Sequence, residues 1–418
     1  MSCHHPASPH CQQHATKRIY TGHIATTSNP TFFLSAGEAS GDHYGAQIIT
    51  ELLRRHPEAA FFGLGGREME SAGQQRVVRA EEVAHMGITE VIRHAPHIYG
   101  SYRRLVASIR QRRPQAAVLI DFPDVNLRLA RELKALNIPV IYFVSPQLWA
   151  WKRRRLRWVQ QRIDRMMVIF PFEEHFYRNR GVHAIFTGHP LAELPLPTVS
   201  REAYAQQHGL DPAKQWVALL PGSRSKEVRA NLPEMLLAAQ ELQGTDNRYQ
   251  FLIPVASTIV PELIRSFLAE TPNIILVPDA REALHHARAS IVASGTATVQ
   301  AAVIGNPFVV VYRVSPLTFR LAKRLVHYPP EIPSQADQHG NLPIAMVNLI
   351  AGRRIVPEFL QENFNAANLA AALRLLLDDT PEHSRMLTDL SGLRQRLLPP
   401  EGASSITQVA DAVDSLLV

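Results

Sequence analysis

A loop of small residues and carboxylates follows the first apolar run of the chain, Phe32–Leu34. Residues 35–42 read Ser-Ala-Gly-Glu-Ala-Ser-Gly-Asp, and their small side chains let the backbone come close to a polar ligand. Glu38 and Asp42 would repel a nucleotide phosphate, whereas carboxylates accept hydrogen bonds from sugar hydroxyls. The segment therefore favours a ligand that carries hydroxyl groups.

A further carboxylate, Asp121, ends the apolar run Ala117–Ile120. At the carboxyl end of a buried strand it would face a cleft, which is where a general base belongs. From these residues alone, a structural role for Asp121, in which its carboxylate only stabilises the loop, is equally well supported.

The residues after the apolar run 216–220 suit a phosphate. Gly222 and Ser223 permit close backbone approach, and Arg224 supplies a planar fork of donors. Asn231, with Glu234 three residues later, predicts a capping box for the following helix. A surface turn is the alternative interpretation of the loop.

A similar loop, Ser294-Gly295-Thr296, follows the run 290–293 and precedes a predicted helix. The free N–H groups and positive dipole end of a helix N-terminus suit a diphosphate. Gln300, one turn further on, could reach a ribose hydroxyl, and a solvated helix residue is its alternative.

An apolar stripe lies at helical spacing in residues 86–113. Its members Ile88, Val91, Ile92 and Tyr99 favour contact with acyl chains or a membrane, and arginines follow it in the sequence. Pro96 should kink or end the helix. Core packing of the stripe is the commoner explanation for such a pattern.

Several function classes lack support in the sequence. There is no Gly-x-x-x-x-Gly-Lys-[Ser/Thr] or Gly-x-Gly-x-x-Gly motif, no metal-ligand cluster and no secretory signal, so no cofactor or metal is expected. The apolar runs are too short to span a membrane, and two cysteines give no disulfide framework. Residues 152–165 contribute much of the net charge of +7; they form either a solvated helix face or a surface for phosphates, nucleic acid or anionic lipid.

Short apolar runs alternate with helical patterns, which predicts parallel sheets with crossover helices. The runs are uniformly apolar, as expected for strands covered on both faces. Strands are predicted at 31–35, 60–64, 117–121, 139–144, 166–170, 184–187, 216–220, 250–255, 273–277, 290–293 and 307–312.

A chain of 418 residues predicts more than one domain. The proline-containing segment 191–197 predicts a linker, with a Rossmann-like domain over 30–195 and a second over 196–387. Residues 1–29, rich in histidine, predict a flexible tail, and a helix at about 388–418 is expected to cross back onto the first domain.

Taken together, the sequence resembles the lipid-A-disaccharide synthase family of glycosyltransferases, whose α/β fold is GT-B: two Rossmann-like doubly wound domains that face a cleft. The segments that carry the resemblance span about residues 31–400. They are SAGEASGD (35–42), MGITEVI (86–92), IDFPDVNLRLA (120–130), YFVSPQLWAWKRRR (142–155), FPFEEHFY (170–177), TGHPL (187–191), LPGSRSKEV (220–228), ASGTATVQ (293–300), LAKRLV (321–326) and NLIAGR (348–353).

The resemblance implies an inverting transfer that joins UDP-2,3-diacylglucosamine to 2,3-diacylglucosamine 1-phosphate and releases UDP. It implies a peripheral enzyme of lipid A biosynthesis on the cytoplasmic leaflet of a Gram-negative inner membrane, without nucleic acid and with a possible homodimer.

By resemblance Asp121 is the candidate base that takes the proton of the acceptor's 6-hydroxyl. The UDP moiety would bind the second domain through the two Gly/Ser loops and Gln300. Glu38, Ser40 and Asp42 would serve the acceptor, by holding sugar hydroxyls or by ordering the loop.

Three departures stand out: the family usually has Glu where this chain has Gln300, Tyr328–Pro343 looks longer than usual, and the His-rich start is extra. A UDP-N-acetylglucosamine epimerase of similar architecture is the nearest rival. A basic nucleic-acid-binding scaffold, with Trp149, Trp151 and Trp158 stacking on bases, is a more distant one.

Overall fold

The computed structural model describes residues 29–84, 95–245, 247–268 and 273–417, which form an α/β fold with two parallel sheets. The predicted tail up to residue 28 therefore lies outside the described residues. The strands are β1 (Thr31–Ala36), β2 (Ala60–Gly65), β3 (Gln74–Arg79), β4 (Ala116–Ile120), β5 (Val140–Phe143), β6 (Arg165–Val168), β7 (Ala184–Phe186), β8 (Gln215–Leu220), β9 (Tyr249–Pro254), β10 (Ile274–Val277), β11 (Ala289–Ala293), β12 (Phe308–Tyr312) and β13 (Glu358–Leu360).

Helices cover and connect these strands, and short 3₁₀ turns occur at 153–155, 361–363 and 400–402. The helices are α1 (Ala39–Arg55), α2 (Arg67–Ser71), α3 (Glu81–Ala84), α4 (Ala95–Arg112), α5 (Pro123–Ala135), α6 (Leu156–Arg162), α7 (Pro171–Arg178), α8 (Pro190–Glu193), α9 (Arg201–His208), α10 (Ser225–Thr245), α11 (Pro261–Arg265), α12 (Ala280–His286), α13 (Thr296–Ile304), α14 (Pro316–Leu325), α15 (Met346–Ala351), α16 (Ala366–Leu377), α17 (Pro381–Leu397) and α18 (Ser405–Asp414). None of the helices in the described ranges has the length and apolar character needed to cross a bilayer.

Both sheets are doubly wound. The first has the order β3-β2-β1-β4-β5-β6-β7 and the second β10-β9-β8-β11-β12-β13. In each, the chain starts in the middle, winds to one edge and returns to continue on the other side. The direction reverses between β1 and β4 and between β8 and β11, and ligands of such sheets bind at these switch points.

Every strand predicted from an apolar run is present, and two edge strands were missed. β3 reads Gln-Gln-Arg-Val-Val-Arg and β13 has three residues, so neither contains a continuous apolar run. Edge strands are exposed along one side and tolerate polar residues, which explains why an apolar pattern fails to find them.

The end of the chain returns to the first sheet. Gly188 lies against Pro399, where an added Cβ would be 2.5 Å from the proline nitrogen, and His189 N–H donates to Leu397 O at 2.8 Å. Beyond this crossing, α18 packs along α1, where the Arg55 guanidinium pairs with Asp411 at 2.7 Å and with Asp414 at 2.8 Å.

The predicted capping box at Asn231 is wrong. α10 begins six residues earlier, at Ser225, and continues through Pro233 to Thr245. Asn231 is buried inside this helix, where its Nδ2 donates to Pro221 O at 2.9 Å, and Glu234 accepts from Ala366 N–H at 2.8 Å. Asn231 therefore holds the loop before its own helix, and Glu234 holds the start of α16.

Candidate active site

The first-sheet switch point brings two predicted loops together. β1 and β4 are hydrogen-bonded neighbours with Ala36 opposite Ile120, so the residues that follow them leave the sheet side by side. Glu38 follows β1 and Asp121 follows β4. The two carboxylates predicted from separate motifs thus share one edge of the cleft.

The backbone at Asp121 is strained and firmly held. Asp121 and Phe122 have φ angles of 45° and 47°, a left-handed conformation that is costly for side chains other than glycine. The carbonyl of Asp121 accepts from Asn126 Nδ2 at 2.8 Å and from the Tyr142 hydroxyl at 2.5 Å. Strain of this kind persists only where the surroundings enforce it, and it clusters at functional sites.

Gly37 is needed for this arrangement. A Cβ at Gly37 would lie 2.5 Å from the ring of Phe122, so any side chain there would push the ring aside. Because Phe122 is bonded to Asp121, the glycine of the first loop supports the position of the second loop's carboxylate.

Burial and charge shift the protonation of Asp121. Loss of solvent around the carboxyl and, to a smaller extent, the nearby Glu38 carboxylate raise its pKa to about 6, against opposing contributions from the Phe122 N–H and Arg224. A carboxyl with this pKa is ionised at neutral pH and can take up a proton during a reaction.

The loop after β8 is held by Glu227. Its carboxylate accepts from Ser223 N–H at 3.1 Å, and a Cβ at Gly222, which has φ 122°, would lie 2.5 Å from a Glu227 oxygen. The Thr258 hydroxyl donates to Ser223 O at 2.6 Å. These contacts leave Arg224 at the tip with 67% of its side chain exposed.

Arg224 joins the two halves of the cleft. Its guanidinium lies 3.4 Å from Glu38 across the cleft and 3.3 Å from Glu227 in its own loop. A carboxylate pair from the first sheet and a cation from the second therefore meet in one place.

The loop after β11 lies beside the Arg224 loop. β8 and β11 pair with Leu220 opposite Val292, so both loops leave the same edge. Ser294 N–H bonds to Val311 O at 2.9 Å, Gly295 caps α13, and Thr296 begins it. Gln300 is half-buried one turn into this helix.

The other two residues predicted to bind the acceptor, Ser40 and Asp42, differ in their exposure to solvent. Ser40 is exposed at the start of α1. Asp42 is 7% exposed, and its carboxylate accepts from the N–H groups of Gly66, Glu68 and Met69 at 2.7, 3.0 and 3.2 Å. Of the two roles left open for Asp42, these bonds favour ordering the loop, because they occupy the carboxylate with the start of α2.

The predicted lipid stripe is only partly within the described residues. Ile88, Val91 and Ile92 lie outside them, whereas Tyr99 on α4 is 64% exposed. Further along α4, Leu105 and Ile109 are buried and pack in the core. Pro96 falls in the first turn of α4, where proline is tolerated.

Two residues that the sequence interpretation missed hold the site. Asn126 bonds to the carbonyls on both sides of the β4 end and accepts from Ser35 Oγ at 2.6 Å, which ties β1 to β4. Glu227 braces the Arg224 loop. Asn126 lies five residues after Asp121 and Glu227 three residues after Arg224, each on the helix that follows, and a polar residue in that first turn is the signal that could have identified them.

Among residues 29–84, 95–245, 247–268 and 273–417, no cluster of three His, Cys, Asp or Glu side chains could hold a metal ion. Arg224 and the N-terminus of α13 both place positive charge at the second-sheet edge, where it suits an anionic ligand.

Comparison with sequence families gives a match to the model described as lipid-A-disaccharide synthetase, over residues 32–408. The lipid-A-disaccharide synthase of Acidobacterium capsulatum is 52% identical over 406 residues, which cover 94% of this chain and 97% of that protein. The enzyme of the same name from Koribacter versatilis is 48% identical over 368 residues, with 87% and 92% covered.

Solved structures share the GT-B fold at low sequence identity. The calicheamicin glycosyltransferase CalG4 superposes with a TM-score of 0.58 at 14% identity, with 93% of this chain and 98% of that chain covered. A UDP-N-acetylglucosamine 2-epimerase described as putative, from Listeria monocytogenes, gives 0.57 at 11% identity, with 93% and 96% covered. Because both enzyme classes have this fold, it does not distinguish between them.

Proposed function

The chain belongs to the lipid-A-disaccharide synthase family, and from that membership we propose how its cleft performs the synthesis of lipid A disaccharide. The reaction joins two acylated glucosamine units, one activated as a UDP-sugar. We propose UDP-2,3-diacylglucosamine as donor and 2,3-diacylglucosamine 1-phosphate as acceptor. The observation that carries the proposal is the meeting of Asp121, Glu38 and Arg224 between the two sheets.

The two halves divide the substrates. A first domain over 30–195, completed by the C-terminal crossing at about 388–418, would hold the acceptor, and a second over 196–387 would hold the UDP moiety. Support comes from the sign of the charges, because the first-sheet edge presents carboxylates, whereas the second presents a cation and a helix N-terminus.

Asp121 acts as the general base. Its carboxylate accepts the proton of the acceptor's 6-hydroxyl while that oxygen forms a bond to the anomeric carbon of the donor. The bond from that carbon to the β-phosphate oxygen breaks on the opposite side, so the configuration inverts in one displacement. UDP leaves with the electron pair, and the proton remains on Asp121.

The departing diphosphate carries the negative charge that develops in this step. Arg224 and the N-terminus of α13 at Gly295 and Thr296 would receive it, with the Ser294 hydroxyl beside them, since fixed donors in a cleft stabilise developing charge without reorganising. Gly222 and Ser223 would allow close approach, and Gln300 would bond one ribose hydroxyl. Glu38, exposed on 45% of its side chain, would hold Arg224 until the anion arrives and then face the acceptor sugar together with Ser40.

The enzyme would work as a peripheral protein at the cytoplasmic face of the inner membrane, because both sugars carry acyl chains. The stripe of Ile88, Val91, Ile92 and Tyr99 would contact those chains. We also propose that the chain forms a homodimer, and we assign no residues to its interface.

Mass spectrometry of the products tests the function directly. The purified chain is mixed with both acylated substrates, and the expected product has their summed mass less that of UDP. Each substrate alone serves as the control. Release of UDP without a disaccharide, or isomerisation of UDP-N-acetylglucosamine offered alone, would contradict the transferase.

A further inference from the structure

Helix α14 buries none of its ten residues, which is unusual for an amphipathic helix in a folded chain. Leu317, Leu321 and Leu325 are 72%, 54% and 57% exposed. Their spacing of four places them along one face, so the face that a helix normally packs against the core is turned to solvent.

The charged residues of this helix are all basic. Arg320, Lys323 and Arg324 are all exposed, and residues 313–330 contain no Asp or Glu. Every charge that flanks the leucine stripe on this helix is therefore positive.

A second exposed basic element adjoins the end of α14. The Arg153 guanidinium donates to the carbonyl of His327, and His327 N–H bonds to Ala150 O at 3.4 Å. Next to this contact Trp151 is 48% exposed, and Lys152 Nζ lies 4.1 Å from the centre of its ring. Residues 151–162 also contain no acidic side chain.

The contacts at His327 join these two elements, which we together call the α14 face. It comprises the leucine stripe and cations of α14 together with Trp151, Lys152, Arg153, Arg154 and Arg157. Trp149, by contrast, is 1% exposed and donates to Glu173, so it cannot stack on a base as the nucleic-acid alternative required.

The α14 face borders the cleft on both sides. The Trp151 segment follows β5, the neighbour of β4, which ends at Asp121. α14 follows β12, the neighbour of β11, which ends at Ser294. The face therefore lies one strand away from each switch point, on the carboxyl side of both sheets.

We propose that the α14 face docks on an anionic lipid bilayer, with the leucines and Trp151 in the interfacial layer and the cations on lipid phosphates. An exposed apolar face with basic flanks and an adjoining tryptophan has the character of an interfacial element. The inference rests on the proposed function for its purpose: a cleft mouth held at the bilayer lets sugar head groups enter while their acyl chains stay in lipid.

The same residues argue against two other occupants. Nucleic acid would engage the cations but leave the leucine stripe in water. A second copy packed on this face about a twofold axis would bring arginines and lysines against their own kind, since no acidic side chain lies within either segment to pair with them.

Vesicle flotation tests the proposal. The full chain is mixed with vesicles of phosphatidylethanolamine and phosphatidylglycerol, and in parallel with phosphatidylcholine vesicles. We expect partition into the anionic vesicles that weakens with salt. Leu317→Ser with Leu321→Ser should lower the partition coefficient at least tenfold, and Lys323→Gln with Arg324→Gln should lower it severalfold and reduce its salt dependence.

Leu237→Ser with Leu375→Ser is the matched control, because these helix leucines are 50% and 48% exposed on α10 and α16. It should bind vesicles within twofold of the unsubstituted chain. Equal losses in control and test variants, or no loss in the α14 variants, would overturn the proposal. So would sedimentation velocity in which the α14 variants dissociate a dimer while vesicle binding stays the same.

Activity on substrates dispersed in detergent separates this inference from the proposed function. If the α14 face only docks, its variants keep full turnover in micelles and lose it on vesicles. A chain without transferase activity in micelles would contradict the proposed function, whereas vesicle binding is measured without any substrate.

Discussion

The two sheets present their loops to the cleft by the same topology but hold them differently. At the first sheet, Asp121 sits on a strained backbone fixed by Asn126 and Tyr142, and its carboxyl has lost most of its solvent. At the second, Arg224 stands at the exposed tip of a loop braced by Glu227.

The difference follows from what each group must do. A carboxyl that exchanges a proton near neutral pH needs burial to raise its pKa, and burial requires a rigid setting. An arginine is protonated at every working pH, so its pKa needs no adjustment. What it needs is a side chain free enough to contact the ligand. The first edge is therefore built for proton transfer and the second for binding an anion that comes and goes.

Asp121→Asn is the change with the largest expected effect. Turnover should fall by about 10²–10⁴-fold because the 6-hydroxyl loses its proton acceptor. Asn tolerates the left-handed backbone, so the fold and UDP affinity should remain. Turnover is measured with both substrates at saturation, and UDP affinity by calorimetry.

Asp124→Asn is the control for that change. It lies three residues away with 64% of its side chain exposed and pairs with Arg155. Turnover near normal in Asp124→Asn and in Asp121→Asn alike would remove Asp121 from the mechanism.

Arg224→Ala tests the second edge. Loss of a charge-assisted contact to the diphosphate should weaken UDP binding by about 10–100-fold. Arg265→Ala is matched, because Arg265 is 60% exposed and pairs with a glutamate three residues before it, as Arg224 pairs with one three residues after it. Calorimetry with UDP alone should separate the two variants, and equal affinities would contradict the assignment.

Gly37→Ala tests how tightly the first edge is packed. The added methyl meets the Phe122 ring, and overpacking of this kind costs about 1–3 kcal/mol of unfolding free energy. Gly392→Ala on α17, where nothing lies within 4 Å, should instead stabilise the chain by about 0.5–1 kcal/mol. Denaturant unfolding measures both, and an unchanged midpoint for Gly37→Ala would show that Phe122 has room to move.

Much of this arrangement is readable from the sequence. Central parallel strands are buried on both faces, so each appears as a short apolar run, and the loop after such a run must lie at the carboxyl edge. The apolar runs alone therefore predict that the loops at Glu38, Asp121, Arg224 and Ser294 lie at carboxyl edges of sheets.

What the sequence did not reveal depends on contacts between distant segments. The sequence left two roles open for Asp42, and only its bonds to the start of α2, about 25 residues later, favour ordering the loop over binding a sugar. Asn231 and Glu234 matched a capping pattern, but tertiary packing carried the helix through Pro233. The order of strands in each sheet was also not predicted. It depends on which later strand pairs beside the first one, as β4 does with β1 and β11 with β8, and no local sequence pattern indicates this pairing.

The first and second sheet edges should differ in how their functions depend on pH. Since the pKa of Asp121 is raised to about 6, kcat/KM should fall about tenfold for each pH unit below 6, while UDP affinity should not follow this titration. A flat profile of kcat/KM between pH 5 and 7 would contradict a base at this position.

The same shift has a consequence for stability. A folded-state pKa raised above the ordinary value of 3.8 contributes stability that is fully present below about pH 4 and lost as pH rises through about 6. Asp121→Asn removes this loss, so the variant should gain roughly 2 kcal/mol relative to the unsubstituted chain between pH 4 and pH 7. The buried Glu173, whose pKa is raised to about 7, titrates equally in both proteins, so the difference between their unfolding curves isolates Asp121. A gain independent of pH would mean that the strained loop, rather than the buried charge, limits the stability of the first edge.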